Sequence, residues 1–334
     1  MYRNATIFVD NRVKFARGEP RGKTLFALYY FMHKPKLIVI LGPTASGKSD
    51  LAVAIARFIA HQKLATGAEV ISADSRQVYT GLDIGSGKIT QKEMRAIPHH
   101  LLDVASPKRT FTVTQYQRLA KKAIRTITKE NRIPILCGGT GLYIDAITHN
   151  YILPAVPSQP LLRKELELQS TEMLFAQLEQ LDPHRARTID RHNRRRLIRA
   201  LEIVLITHSP VPELKASSPY DLLTIGITRT QEEIASLIEK RLHKRIKAGM
   251  LIEVERLHAN GLSWKRLDDL GLEYRWVSRF LRGLISKELL LEKILLESIQ
   301  YAKRQMTWFK RDKTIHWITS EAEALQLVKN FLTQ

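Results

Sequence analysis

The sequence predicts an α/β protein, a parallel sheet flanked by helices and interrupted by an all-helical insertion. Three observations carry that expectation. Residues 37–41 form a short apolar run that reads as a buried parallel strand, residues 42–49 fit G-x-x-x-x-G-K-[ST], and an apolar helical pattern follows over residues 51–59. Strand, glycine-rich loop and helix in that order are the setting of a phosphate-binding loop, so the core is expected to be P-loop NTPase-like. Short apolar strands alternate with helices as far as about residue 152, after which residues 161–207 read as helices only. A strand at 222–227 then returns to the sheet. The expected organisation is a core of residues 35–152 and 216–320, a helical insertion at 153–215 and a C-terminal helix or tail at 321–334, with residues 1–34 as an N-terminal extension.

The totals narrow the partners. With 53 Lys and Arg against 33 Asp and Glu, the 334-residue chain carries a formal charge of +20. Such an excess points to a polyanion, nucleic acid ahead of an acidic membrane surface. No run approaches the eighteen apolar residues of a membrane span. The single cysteine, Cys137, excludes an internal disulfide and a cysteine-built zinc site. It lies in the apolar run 133–137, so a buried structural thiol is expected. The extension is basic, with Arg3, Arg12, Lys14, Arg17, Arg21 and Lys23. It lacks a secretory cleavage pattern, and Met32 is a candidate start, so the extension is expected to be dispensable.

Three loops collect the chemistry. In Gly42, Pro43, Thr44, Ala45, Ser46, Gly47, Lys48 and Ser49, the glycines let backbone N–H groups point at phosphate oxygens. The following helix N-terminus favours anions, Lys48 adds a point charge, and the Ser49 hydroxyl can hold Mg²⁺. Asp74 ends a second short strand at 70–71, at the sheet edge where open α/β folds bind ligands; its alternative role is a helix cap. The strand at 133–137 runs into Gly138-Gly139-Thr140-Gly141, where the glycines would let a ligand approach and Thr140 offers a hydroxyl.

Other segments are placed around these. Residues 81–88 are too irregular for a helix, and 98–104 read as a strand whose adjacent His99 and His100 point to opposite faces, poor metal-ligand geometry. Residues 114–129 are an amphipathic helix, and the prolines of 153–160 mark a linker. In the insertion, helices are expected at 161–168, 172–181 and 194–207. The last carries Arg194, Arg195, Arg196 and Arg199, whose guanidiniums suit phosphate, partly paired with Glu202. Residues 231–260 read as one long helix, 268–275 as a loop entering a helix, 288–310 as a helix ending in basic and aromatic residues, and 314–318 as a short strand.

Taken together these motifs resemble the tRNA dimethylallyltransferases (tRNA isopentenyltransferases). The resemblance rests on residues 42–49; on Ser72-Ala73-Asp74-Ser75-Arg76-Gln77-Val78-Tyr79 with Gly81-Leu82-Asp83-Ile84-Gly85; and on Pro98-His99-His100-Leu101-Leu102-Asp103. It continues through Gly138-Gly139-Thr140-Gly141-Leu142-Tyr143, Arg196-Leu197-Ile198-Arg199-Ala200-Leu201-Glu202 and Lys303-Arg304-Gln305 with Trp308-Phe309. It implies transfer of a dimethylallyl group from dimethylallyl diphosphate to N6 of the adenosine 3′ of the tRNA anticodon, with Mg²⁺, by a cytoplasmic monomer. It further implies that Asp74 is the general base, with Thr140 and Arg275 at the reaction centre and residues 42–49 on diphosphate. Asp74, Ser75, Arg76, Gln77, Thr140, Arg163, Arg195, Arg196, Leu197, Ile198 and Arg199 are implied to contact tRNA. Two departures stand out: the loop before Arg275 reads Gly271-Leu272-Glu273-Tyr274-Arg275, two residues longer than the family's Gly-Tyr-(Arg/Lys), and the linker has Gln159 before Pro160 where the family often has Asp.

The chemistry of the residues is consistent with that resemblance. An exocyclic adenine amine is a weak nucleophile that a carboxylate can assist, and a departing diphosphate needs concentrated positive charge. The alternatives are an adenylate dimethylallyltransferase acting on free nucleotides, a P-loop small-molecule kinase or nucleotidase, and a non-catalytic RNA-binding protein. The arginine-bearing insertion speaks against the first. The Gly138–Gly141 loop speaks against the second, and Asp74 with Lys48 against the third.

Overall fold

The computed structural model describes residues 34–334. The extension, Met32 and the basic residues singled out there lie outside the described residues. In chain order the elements are β1 Lys36–Leu41, α1 Lys48–His61, β2 Ala68–Ala73, α2 Gln91–Met94, β3 His99–His100, α3 Val113–Lys129, β4 Ile133–Gly138 and α4 Gly141–Thr148. The insertion supplies α5 Pro160–Leu168, α6 Thr171–Leu181, α7 Pro183–Thr188 and α8 Arg194–Thr207. The chain returns through β5 Asp221–Ile227, α9 Gln231–Lys247, α10 Met250–Ala259, α11 Trp264–Leu270, α12 Leu272–Leu281, α13 Lys287–Phe309, β6 His316–Ile318 and α14 Glu321–Thr333.

The strands form one parallel sheet in the order β3-β2-β4-β1-β5-β6. Parallel strands are covered on both faces, which explains their continuous apolar runs. Alternation along β1 divides its side chains between two cores: Leu37, Val39 and Leu41 pack with α3 and α4, while Ile38 and Ile40 pack with α1 and α14. The register matters most for function. Leu41 pairs with Gly138, and Gly138 with Ala73. Gly42, Gly139 and Asp74 therefore leave the sheet side by side.

Several sequence expectations change. The strand expected over 98–104 is only two residues long, because Leu101 and Asp103 turn into the left-handed region at φ 64° and 56°. His99 bonds to the Ile97 carbonyl (2.8 Å) and His100 to Glu69 (2.6 Å), so both are structural. The single helix expected over 231–260 is two, broken at Gly249 (φ 98°), which starts α10. The loop expected over 268–275 is mostly helical, with only Gly271 (φ 74°) separating α11 from α12. The helix α7 was not anticipated. Asp182 starts it by accepting from the Arg185 N–H (2.9 Å), and its other oxygen accepts from the Val211 N–H (2.7 Å).

The insertion has its own core, in which Leu166, Leu174, Leu178, Leu197, Leu201 and Val204 are buried. It is tied to the linker by Glu202, whose side chain is fully buried. That carboxylate accepts from Arg163 Nε (2.8 Å) and Nη2 (2.7 Å), from Arg199 Nη1 and from the Gln159 N–H (2.7 Å). Burial alone would raise the Glu202 pKa, but these hydrogen bonds outweigh it and hold the carboxyl at about 2. A depressed carboxyl contributes stability that is complete above its unfolded pKa and is lost as pH falls through the folded one. Glu202→Gln is therefore expected to destabilise the insertion by about 2–3 kcal/mol at neutral pH, discounted because both arginines reach solvent. The gap to wild type should close as pH falls from about 4.5 toward 2. Urea unfolding monitored by exchange of the α8 amides measures both.

Candidate active site

The phosphate-binding loop between β1 and α1 forms as its sequence requires. Ala45 and Gly47 occupy the left-handed region (φ 65° and 91°), and the Ser46 N–H folds back on the Pro43 carbonyl (3.3 Å). Lys48 curls over the loop, donating from Nζ to the Pro43 carbonyl (2.6 Å). The buried Ser46 hydroxyl has no partner among the described residues. The loop borders a cavity of about 270 Å³ that also meets Asp74, Gln77, Gly139, Arg241, Tyr301 and Gln305. A neighbouring cavity of about 100 Å³ shares Thr44, Asp74, Ser86, Arg241 and Tyr301 with it.

Asp74 stands where the two cavities meet. One oxygen, Oδ1, accepts from the Arg76 N–H (2.7 Å) and the Gln77 N–H (3.3 Å), closing a turn where its alternative role would have capped a helix. No donor among the described residues reaches the other oxygen, so it is available to a ligand. Thr140 is held beside it: its Oγ1 accepts from the Ser75 N–H (3.0 Å), and its own N–H donates to the Ala73 carbonyl (3.1 Å). The Tyr301 hydroxyl lies near the Thr140 hydroxyl, and burial, then the nearby Asp74 charge, push this phenol up to about 12.

Positive charge is concentrated opposite. Arg241 on α9 donates through Nη2 to the Thr44 hydroxyl. Burial, with Arg245 as a like-charged neighbour, pulls Arg241 down to about 10. Burial likewise lowers Lys48 to about 8, helped by Arg241. Both shifts are those of cations confined without a matching anion. Cys137 lies on the cavity floor, with Sγ 3.5 Å from the Lys48 carbonyl, and burial pushes its thiol up to about 12, as befits an inert structural cysteine.

The irregular loop over residues 81–88 is pinned from behind. Glu253 on α10 accepts from three successive backbone N–H groups, Asp83 (3.0 Å), Ile84 (2.6 Å) and Gly85 (3.0 Å), and from the Tyr274 hydroxyl (3.0 Å). The break at Gly249 allows this, since α9 presents arginines to the site while α10 turns Glu253 to the loop.

The structure brings together residues 42–49, Asp74, Ser75, Arg76, Gln77 and Thr140, and separates the rest of the expected set from them. Arg275 lines neither cavity: its Nε donates to the Asp268 carbonyl (3.1 Å) and its Nη1 is 3.6 Å from Glu297. Arg163 and Arg199 are committed to Glu202. Leu197 and Ile198 are buried in the insertion core, at 0% and 6% exposure. Arg195 and Arg196 are exposed. A larger cleft of about 670 Å³ lies between insertion and core, with Arg185, Arg196, Arg199, Lys215, Arg311 and Lys313 on its walls. Arg241 and Tyr301 went unnoticed in the sequence because each looks like one more residue of a charged amphipathic helix. Their spacing from Arg245 and Gln305, four residues in each case, is the only trace.

An anion cradle at the carboxyl edge of a parallel sheet, facing a carboxylate with a free oxygen, defines a phosphate-loop protein with a reaction site. Residues 77–312 match the sequence model of a family described as IPP transferase. A tRNA dimethylallyltransferase 2 of Trichlorobacter lovleyi is 42% identical over 286 residues, 84% of this chain and 91% of the relative. The solved full-length tRNA isopentenylpyrophosphate transferase of Bacillus halodurans superposes with a TM-score of 0.67 at 33% identity, covering 90% of this chain and 97% of that one. A eukaryotic dimethylallyltransferase acting on tRNA, 22% identical, shares the fold with a TM-score of 0.70 over 90% of this chain and 80% of its own. The chain belongs to the IPP transferase family.

The lowered Lys48 gives a pH test. Only its protonated form attracts an anion, so affinity for inorganic diphosphate should weaken as pH rises through about 8. Calorimetric titration from pH 6.5 to 9.5 should show this step in wild type and not in Lys48→Met, which should bind weakly throughout.

Proposed function

We propose that this chain is a tRNA dimethylallyltransferase. It transfers the dimethylallyl group of dimethylallyl diphosphate to N6 of the adenosine 3′-adjacent to the anticodon, releasing diphosphate. The observation that carries the reading is the placement of the free Asp74 oxygen across one cavity from Lys48, Arg241 and the phosphate-binding loop. A kinase would use such a cradle for the phosphates of its donor and direct its base at an acceptor hydroxyl. Here the same cradle suits a leaving group.

In this mechanism residues 42–49, Lys48 and Arg241 hold the diphosphate and stabilise the charge that grows as the allylic C–O bond breaks. N6 forms the new C–N bond and gives its proton to Asp74 Oδ2. Thr140, fixed by the Ser75 N–H with Tyr301 alongside, orients the amine. The donor chemistry fits a hard divalent cation, because the Ser49 hydroxyl is exposed at the cavity and the Asp50 and Asp74 carboxylates line it. When bound, Mg²⁺ spreads the charge of the departing diphosphate. The basic cleft between insertion and core supports an RNA path, and the reacting base must leave its stack to reach Asp74. The enzyme is read as a cytoplasmic monomer; among the described residues no helix is long and apolar enough to cross a membrane.

Labelled dimethylallyl diphosphate and Mg²⁺, offered with unmodified tRNA or with AMP and ADP, test the proposal. Label is expected in tRNA. Label confined to free nucleotides, or in neither, overturns it. Asp74→Asn should keep tRNA affinity and lose about 10²–10⁴-fold in kcat. Arg195→Gln with Arg196→Gln should weaken tRNA binding, and the slope of log affinity against log salt should fall by about 1–2, with kcat at saturating tRNA near wild type.

A further inference from the structure

One face of α13 reaches two of the three active loops, at Thr44 and at Gly139, and borders the cavity that Asp74 also lines. Tyr301, Gln305 and Trp308 are spaced four and three residues apart, which stacks them on one side of the helix. Tyr301 meets Thr140. Trp308 donates its indole N–H to Asp145 (3.0 Å) and lies over Gly141. Between them Gln305, only 6% exposed, spans two loops with the two ends of its amide. Its Oε1 accepts from the Thr44 N–H (2.8 Å), and its Nε2 donates to the Gly139 carbonyl (2.8 Å). A Cβ at Gly139 would overlap Gln305 Nε2, and one at Gly141 would overlap the Trp308 ring. These two glycines make room for side chains of the protein itself, and Gly139 also borders the cavity.

We propose that Gln305 is a positioning residue, a strut that fixes the separation between the diphosphate cradle at Thr44 and the reaction centre carried by the Gly139–Thr140 loop. Both contacts are made to backbone atoms, so they locate the loops themselves. Thr44 is gripped twice, its N–H by Gln305 and its hydroxyl by Arg241. The strut holds the leaving group and the attacking amine at a reactive separation, and misplacement on the order of 1 Å costs about 10²-fold in rate. The inference rests on the prenyl-transfer reading.

The test is a split between turnover and binding. Gln305→Met keeps length and volume but neither bond. It is expected to lose about 30–100-fold in kcat for transfer to tRNA, while its Kd for inorganic diphosphate and its Kd for tRNA stay within about threefold of wild type. Gly139→Ala reaches the same contact from the other side and keeps the test decisive where the Gln305→Met chain does not fold. Its loss in kcat should be similar, and the Gln305→Ala, Gly139→Ala pair should lose no more than Gln305→Ala alone, because both act through one strut. Turnover near wild type in Gln305→Met, diphosphate affinity falling in parallel with turnover, or additive losses in the pair would each overturn the inference while leaving prenyl transfer intact. A wild-type chain that transfers nothing to tRNA overturns both.

Discussion

One row of backbone pairs, Leu41 with Gly138 and Gly138 with Ala73, governs the rest of the molecule. The three chemical loops begin at the next residue of their respective strands, so their starting heights are equal. A slip of one residue between β2 and β4 would move Asp74 by about 3.3 Å along the strand, out of hydrogen-bonding reach of anything held by the loop after β1. It would also turn buried side chains of β2 to the wrong face. The hydrophobic division of the sheet, Leu37, Val39 and Leu41 on one side and Ile38 and Ile40 on the other, therefore protects the catalytic geometry as well as the fold.

Holding the loops level creates an electrostatic problem at that edge. Lys48 and Arg241 sit close together in partial burial, and among the described residues no carboxylate lies within ion-pair distance of either. Arg245, further along the same helix, has Glu273 at 2.8 Å. The first two are thus left deliberately underpaired while the third is neutralised. On the proposed reading a diphosphate supplies the missing charge; burial lowers the pKa of both cations, and an anion beside them would oppose that shift. Because the donors are already oriented by Pro43 and Thr44, little reorganisation accompanies the growth of charge on a leaving group.

The central part of this arrangement was legible in the sequence. The motif over residues 42–49 and the strand-end positions of Asp74 and Thr140 follow from local patterns, and the parallel sheet follows from strand–helix alternation. What was not legible depends on long-range contact. Arg241 and Tyr301 reach the site from helices more than a hundred residues away from Thr44 and Thr140, and nothing local separates them from solvent-facing neighbours; Gln305 stood out only as part of a motif, with no role read for it. The helix break at Gly249 was missed for the opposite reason, since apolar periodicity continues across the glycine and hides the change of direction; at Gly271 a break was expected, and the helix on either side of it was not. The glycines of the 138–141 loop were noticed, and at Gly139 and Gly141 they also admit side chains of α13. Proximity to a ligand and proximity to a side chain of α13 leave the same signature in sequence.

The arginines of the insertion carry the same lesson about charge. A formal +20 invites every guanidinium to be read as an RNA contact. Arg163 and Arg199 hold Glu202, a carboxylate that could not be buried without them. This pairing is structurally useful to RNA binding in a different way. By locking the linker to α8, it fixes the helix on which Arg195 and Arg196 remain exposed, and it fixes one wall of the basic cleft. Charge that is neutralised inside the insertion thus orients charge that is not. An account of binding built on the net total alone would count the supports together with the contacts they hold in place.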